Sequence, residues 1–451
     1  MRRLVRTCAL SGLLVVLSDA ELAADGFGVY TNGARAAGMG GAWVARVMDP
    51  SAIFYNVAGM TQLDGTQLYG GLSSLTVSGN DVRLFDGSEF DATDETFFLP
   101  HGYVTHAISD QFAVGVGAFT PYGLGTGWDH TEFPGRFRSY DADIRTIYIQ
   151  PSVAFAPVPA FSIGAGVDFV LADVELKRQV DLSRLVLPGT PGTTFGQATG
   201  LPPNQVAFID SELKADGTAW GFSAGVLVKP HPAVQLGLTY RSQVTVDFDG
   251  DTTFEQVPTG IVLGPGNPLG APAGTPLDVL LAAGIPADQQ AHTEITLPDQ
   301  VVGGISVMPT EGWMVNADVK WTNWKDFDDV VIEFENANPG TSVIEPRYEN
   351  GTSFRVGTEY LVSPAVALRA GYIRDETPSP ESAVTPLLPD SDRNEFSLGF
   401  GYTTGPWQFD AYALAEFFVD RDGPVGADDD IPDGTYDTRA LLFGLDFGYR
   451  F

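Results

Sequence analysis

Cysteine is almost absent: Cys8 is the one cysteine in 451 residues, and it lies in the N-terminal stretch. If that stretch is removed, neither disulfides nor thiol chemistry can hold or drive the chain. Histidine is scarce at five. His101 and His106 are five apart on a strand-like segment, so they face opposite ways and cannot share a metal; no metal or cofactor is expected. Basic residues are few, with 25 Lys and Arg against 57 Asp and Glu, a net charge of −32. Such a chain repels nucleic acid and anionic surfaces through its mean field, so no nucleic-acid partner is expected. Past the N-terminus no continuous apolar run is long enough for a transmembrane helix. No linker or composition break divides the chain, although its length would allow two or three soluble domains.

What is present begins with a secretory pattern. Arg2, Arg3 and Arg6 form a basic start, "TCALSGLLVVLS" is a short apolar core, and small residues offer cleavage near Ala20 or Ala24. We expect residues 1–24 to be a signal peptide, and its loss moves the charge from −32 to about −33 because three Arg leave with Asp19 and Glu21. The full sequence is 44% hydrophobic and 11% aromatic, which argues against disorder.

Roughly ten-residue stretches then alternate apolar with small or polar residues. In "RALLFGLDFGYRF", Leu441, Phe443, Leu445, Phe447, Tyr449 and Phe451 share a face, opposite Gly444, Asp446 and Gly448. "AWGFSAGVLV" and "WMVNADVKW" follow the same rule. Period two with ring-bearing ends is the pattern of a membrane-spanning strand. Strands are expected to begin near residues 65, 96, 111, 142, 160, 215, 233, 293, 312, 350, 364, 394, 406 and 438. Their connections alternate between short ("ISDQ", "APVPA", "KPHPA", "MPTEG", "VSPA", "TTGP") and long. Tight turns at one rim and long loops at the other predict an all-β fold: a transmembrane 14-stranded antiparallel β-barrel in the outer membrane of a Gram-negative bacterium. Closure also removes exposed sheet edges.

Two long loops are greasy. One holds Leu185 and Leu187; the other, 260–286, holds Leu277, Leu280 and Leu281, with Thr275 and Pro276 placed to start a short helix whose three leucines share a face. Such loops either pack on themselves or form a capture groove for an apolar ligand. The last long loop, "DRDGPVGADDDIPDGTYD", is acidic and reads as a solvated rim, with divalent bridging to lipopolysaccharide as its other reading. "GFSAG" (Gly221–Gly225) matches a hydrolase pattern but lies mid-strand, with Ser223 on the small inward face, where no nucleophile elbow can form. No catalytic constellation is found, so the chain is not expected to be an enzyme.

The segment "GFGVYTNGARAAGMGGAWVARVMDPSAIFYNVAGMTQL" fits neither helix nor strand, and with "PYGLGTGW", "PGRF", "LTYRSQV", "LPDQVVGGI", "DVKWTNW", "LRAGYIRDETP" and "GYRF" it resembles the FadL family of outer-membrane channels for long-chain fatty acids and other hydrophobic compounds. The resemblance covers nearly the whole chain after the signal. It implies that residues 25–64 fold as a hatch inside a barrel spanning 65–451, and that loops capture ligand and pass it to a deeper apolar pocket. It also implies that a kinked third strand opens the wall sideways. The hatch residues are then Phe54, Tyr55, Asn56, Val57 and Ala58, with Val57 where the family typically has Pro. The lateral opening falls on Thr120, Pro121, Tyr122 and Gly123, where Pro121 cannot donate to a ladder. By strand parity Lys320 and Arg369 point inward, either to meet a carboxylate headgroup or to pair with Asp318, Asp410 or Glu416.

The expected function is passive uptake of long-chain fatty acids by loop capture, lumen binding and lateral release; the alternative is uptake of aromatic hydrocarbons by the same route. The expected partners are a hydrophobic small molecule, outer-membrane lipid and lipopolysaccharide. A general porin would need an open lumen, an embedded hydrolase an activated serine, and an adhesin would leave the hatch unexplained.

Overall fold

The computed structural model describes residues 26–187, 192–327, 329–336, 341–385, 387, 389–423 and 434–451. The signal segment and most of the acidic last loop lie outside them. Fourteen antiparallel strands close on themselves. They are β1 (Thr66–Leu84), β2 (Glu95–Ser109), β3 (Phe112–Phe119, resuming at Gly123–Gly127), β4 (Asp141–Val158) and β5 (Phe161–Asp181). Then come β6 (Ala207–His231), β7 (Val234–Arg241, resuming at Val244–Gln256), β8 (Gln289–Leu297, resuming at Gln300–Thr310) and β9 (Trp313–Thr322, resuming at Val330–Phe334). The last are β10 (Gly351–Ser363), β11 (Val366–Asp375), β12 (Arg393–Thr404), β13 (Trp407–Phe418) and β14 (Gly434–Arg450). Each pairs with its chain neighbours, and β14 returns to β1 from Gln67↔Arg450 to Leu84↔Gly434.

Alternation decides the two faces. Phe443, Leu445, Phe447, Trp220, Phe222, Leu236 and Leu238 are exposed on the outside, as a bilayer requires. Gln150, Asp168, Asp318, Glu359, Arg369, Asp410 and Asp446 are buried on the inside. Expected strand starts agree to within two residues except at β6, β8 and β14. These begin at Ala207, Gln289 and Gly434, earlier than expected, because their upper ends carry charges on the outward face and lose the apolar alternation. Asp216, Lys214, Asp249 and Glu294 mark this charged upper zone.

The chain before β1 lies inside. Residues 34–60 are almost entirely buried, in short turns of helix at Ala34–Ala37, Ala52–Tyr55 and Val57–Gln62. Their backbone groups, which no sheet serves, bond to inward side chains of the wall. Ala34 N–H donates to Asp446 at 2.6 Å, Gly40 N–H to Ser397 at 3.0 Å and Val44 N–H to Asp318 at 2.9 Å. Asn316 donates to Ala42 O at 2.7 Å and Gln150 to Ile53 O at 3.1 Å. Arg35 pairs with Glu359 at 2.7 Å. The segment packs inside the lower lumen, held by these contacts to several strands of the wall.

Candidate functional site

The ladder between β2 and β3 runs only as far as Gly102↔Ala118. Beyond it, β3 skips Thr120–Tyr122, and its continuation pairs with β4 from Gly123↔Arg145 but, among the described residues, not with β2. The result is a gap in the wall. Pro121 explains the stop: it has no N–H to give. Gly123 is not required for its conformation, since its φ is not among the positive values and a methyl there would have room.

The start of the N-terminal segment occupies the interrupted strand. Val29 N–H donates to Pro121 O at 2.7 Å, and Gly123 N–H donates to Phe27 O at 3.1 Å. Asn32 clamps Thr120 from both sides, donating to its carbonyl at 3.0 Å and accepting from its N–H at 3.1 Å. Strand patterning passes over Asn32 and Phe27, because the partners that hold them at the gap lie some 90 positions away and carry no local signal.

A cavity of about 640 Å³ runs through this gap. At its outer mouth stand Phe98, 64% exposed, and Ile147, 45% exposed; Tyr30 and Thr120 lie within. A second, apolar cavity of about 130 Å³ is walled by Val174, Leu213, Ile295, Ile332 and Tyr348. Phe27 and Ile144 line both. Phe27 stands at the junction, edge-on to Trp324 at 4.8 Å and to Phe327 at 5.3 Å. A second wall break, between Gln300↔Thr322 and His292↔Glu333 of β8 and β9, is filled by the fully buried Trp324. Tyr122 reaches across to this side, donating to Pro298 O at 2.7 Å.

The expected hatch residues cluster beside Tyr30 and Phe119. Phe54 is edge-on to Phe119 at 5.1 Å, and its carbonyl accepts from Arg241 at 3.1 Å. Tyr55 donates to Tyr30 O at 2.7 Å. Asn56 caps the next turn, accepting from Ala58 N–H at 3.1 Å and donating to Val44 O at 2.9 Å. Val57 is the first residue of that turn.

The two expected headgroup cations sit lower. Arg369 lies between Glu359 and Asp410, 2.6 Å from each, so its charge is already matched. Lys320 is buried with its ammonium 4.8 Å from the Tyr30 ring centroid. Of the loop leucines, Leu187, Leu277 and Leu281 are buried in one cluster with Phe195 and Phe208, and Leu185 packs against it. Leu280 is 41% exposed and does not share the face of Leu277 and Leu281. The helix runs Leu277–Leu281 with Pro276 as its cap, one residue later than expected, and Leu277 and Leu281 stack one turn apart. His101 and His106 do face opposite ways, to buried Asp446 at 2.9 Å and exposed Thr66 at 2.8 Å. Ser223 lies inward in mid-strand on β6, with no turn around it.

The family described as "Outer membrane protein transport protein (OMPP1/FadL/TodX)" matches residues 15–451. The chain belongs to this family. The long-chain fatty acid transport protein of Escherichia coli K12 is 26% identical over 399 residues, covering 84% of this chain and 82% of its own. Outer membrane protein P1 of Haemophilus influenzae is 24% identical over 348 residues, covering 74% and 69%. Among solved structures, a Pseudomonas aeruginosa FadL homologue superposes with TM-score 0.78 at 24% identity, covering 95% of this chain and all of that one. The Ralstonia pickettii toluene transporter TbuX superposes with TM-score 0.66 at 16% identity, covering 93% and 98%; both matches show the fold. This FadL-family protein is an outer-membrane transporter of hydrophobic compounds and not an enzyme.

Proposed function

We propose that the protein delivers long-chain fatty acids sideways through its wall. Loops gather the ligand around the exposed Leu280, and it descends into the apolar cavity beneath them. It then passes Phe27 into the wall chamber and leaves between β2 and β3 into outer-membrane lipid, beneath the lipopolysaccharide headgroups. The observation that carries this reading is the 640 Å³ chamber reaching Phe98 and Ile147 beside a hatch that is packed shut. A straight route would have to break the hatch contacts to Asp446, Ser397, Asp318 and Glu359 together. The lateral route asks only that residues near Phe27 move. Each alkyl CH₂ buried on the way contributes about 0.8 kcal/mol, with no energy source required.

A second reading, aromatic hydrocarbons, is favoured by the size of the upper cavity. At about 130 Å³ it is close to the roughly 150 Å³ apolar cavity that holds benzene. Both readings are tested by uptake of labelled oleate and toluene in cells lacking their own transporter. Expression is expected to raise oleate uptake, and unchanged oleate uptake rejects the fatty-acid reading. Pro121→Val with Gly123→Ala lets the β3 ladder continue and is expected to cut uptake severalfold. Unaltered transport by that variant would count against the lateral route.

A further inference from the structure

The ladder between β8 and β9 stops at Gln300↔Thr322 and resumes at His292↔Glu333. Residues 293–298 thus present roughly 20 Å of strand edge with no ladder partner on β9 among the described residues. Such an edge is unusual in a closed barrel, because lipid serves no backbone N–H or C=O. The turn 323–327 crosses the break and has a hollow on either side. Outside, Asn323 and Asp326 line a groove of about 580 Å³ together with Asp299 and the exposed rings of Trp220 and Phe222. Inside, Phe327 lines the apolar cavity of about 130 Å³ with Ile295 of β8 and Val330 and Ile332 of β9. Trp324, in the same turn, is fully buried, with its ring 4.8 Å from Phe27, 6.1 Å from Phe327 and 5.8 Å from Tyr348. All three of these rings line that cavity. A buried indole N–H ordinarily finds an acceptor, yet that of Trp324 has none among the described residues. Its ring is held by packing alone and can turn aside without breaking a hydrogen bond.

We propose that this break is a second lateral exit, closed by Trp324, for a neutral single-ring hydrocarbon held in the 130 Å³ cavity. The proposal rests on the aromatic-hydrocarbon reading above and adds a route to it: such a ligand need not pass Phe27 into the wall chamber. When Trp324 swings aside, the cavity joins the outer groove, where Trp220 and Phe222 stand on the lipid side. The two carboxylates of that groove, Asp299 and Asp326, oppose the departure of an anion and leave a neutral ring unaffected. A long-chain acid outgrows the small cavity and keeps the 640 Å³ chamber as its route. The two wall breaks therefore sort ligands by size and charge.

Asn323 N–H already donates to Asp299 O at 3.0 Å, and both side chains line the outer groove. Asp299→Cys with Asn323→Cys, in the full-length protein expressed in cells lacking their own transporter, would tie the turn to β8 by a disulfide and hold Trp324 in place. Oleate uptake by this variant is expected to be the same oxidised and reduced, which also reports that it has folded. The two cysteines are then combined with Pro121→Val and Gly123→Ala, which close up the β3 break. Toluene uptake that survives there is expected to fall on oxidation to the level of cells without the protein, and to return on reduction. Trp324→Ala is expected to raise toluene uptake severalfold. Toluene uptake indifferent to oxidation overturns the second exit and leaves the β3 route standing. Toluene uptake already at background with the β3 break closed places all transport there and equally rejects the proposal. Oleate uptake lost on oxidation would contradict the sorting by size and charge. A wild type that takes up no toluene defeats the proposal together with the aromatic reading, while oleate uptake in the same cells still decides the fatty-acid one.

Discussion

Val57 stands at the first position of a short helical turn, directly after its cap Asn56. That is the one helical position where proline costs nothing, because the N–H it lacks has no partner in the helix. Asn56 is extended, with φ −161° and ψ 104°, which is the conformation a following proline requires. Val57→Pro is therefore expected to be tolerated and to stabilise by up to about 1 kcal/mol through the unfolded chain. Thermal unfolding in detergent checks this; a fall in midpoint of several degrees would show that the packing of the buried Val57 side chain outweighs the backbone gain. The position was legible as a departure from the family's Asn-Pro-Ala, but its consequence was not, because the sequence does not say which turn position it occupies. The same limit applies to the cations. Parity placed Lys320 and Arg369 inside, where they are. Their partners depend on strand register, and register puts Glu359 opposite Arg369 and so satisfies it.

The β3 break and the loop between β11 and β12 are the elements that shape the chamber. The break was readable because Pro121 is a chemical stop; the closing loop was not, because its residues have no period. In that loop Asp390 is buried against Thr377, which donates to it at 2.6 Å. Burial pushes its carboxyl up to about 6, with Arg393 opposing. A carboxyl raised by the fold favours its neutral form, so its contribution to stability is complete below the unfolded value of about 3.9. That contribution is lost as pH rises through about 6. The loop should therefore loosen as pH rises from about 4, the unfolded value, to about 6, the folded one, and change little above that. Hydrogen exchange at the Thr377 and Ser379 amides, corrected for intrinsic rates, should show protection falling over that range in wild type and flat in Asp390→Asn. Protection that rises with pH would reverse the assignment. The loop leucines show the other limit on sequence reading: apolarity predicted a cluster, and whether it packs on itself or opens as a groove depends on contacts between Leu187, Phe195, Phe208 and Leu277 that lie far apart in the chain.

At the scale of the molecule, the wall was the legible part, because a bilayer outside and a packed lumen inside impose a period of two on every spanning strand. The lumen was not, because a plug with no regular structure is fixed by long-range bonds from its backbone to side chains such as Asp446, Asn316 and Asp318. Those bonds divide the N-terminal segment into a body, held to the wall on several sides, and a leading stretch around Phe27–Asn32 that borders the gap. Lateral release requires the leading stretch to move and the body to stay. The most direct test uses a chain whose one native cysteine, Cys8, lies in the expected signal segment. Cysteines at Ala42 and Asn316, where the Asn316 side chain already donates to the Ala42 carbonyl at 2.7 Å, would lock the body to β9 by a disulfide and leave residues before it free. Oleate uptake by the oxidised variant is predicted to equal that of the same variant after reduction. Uptake that is lost on oxidation and returns on reduction would contradict lateral release and place the route through the hatch.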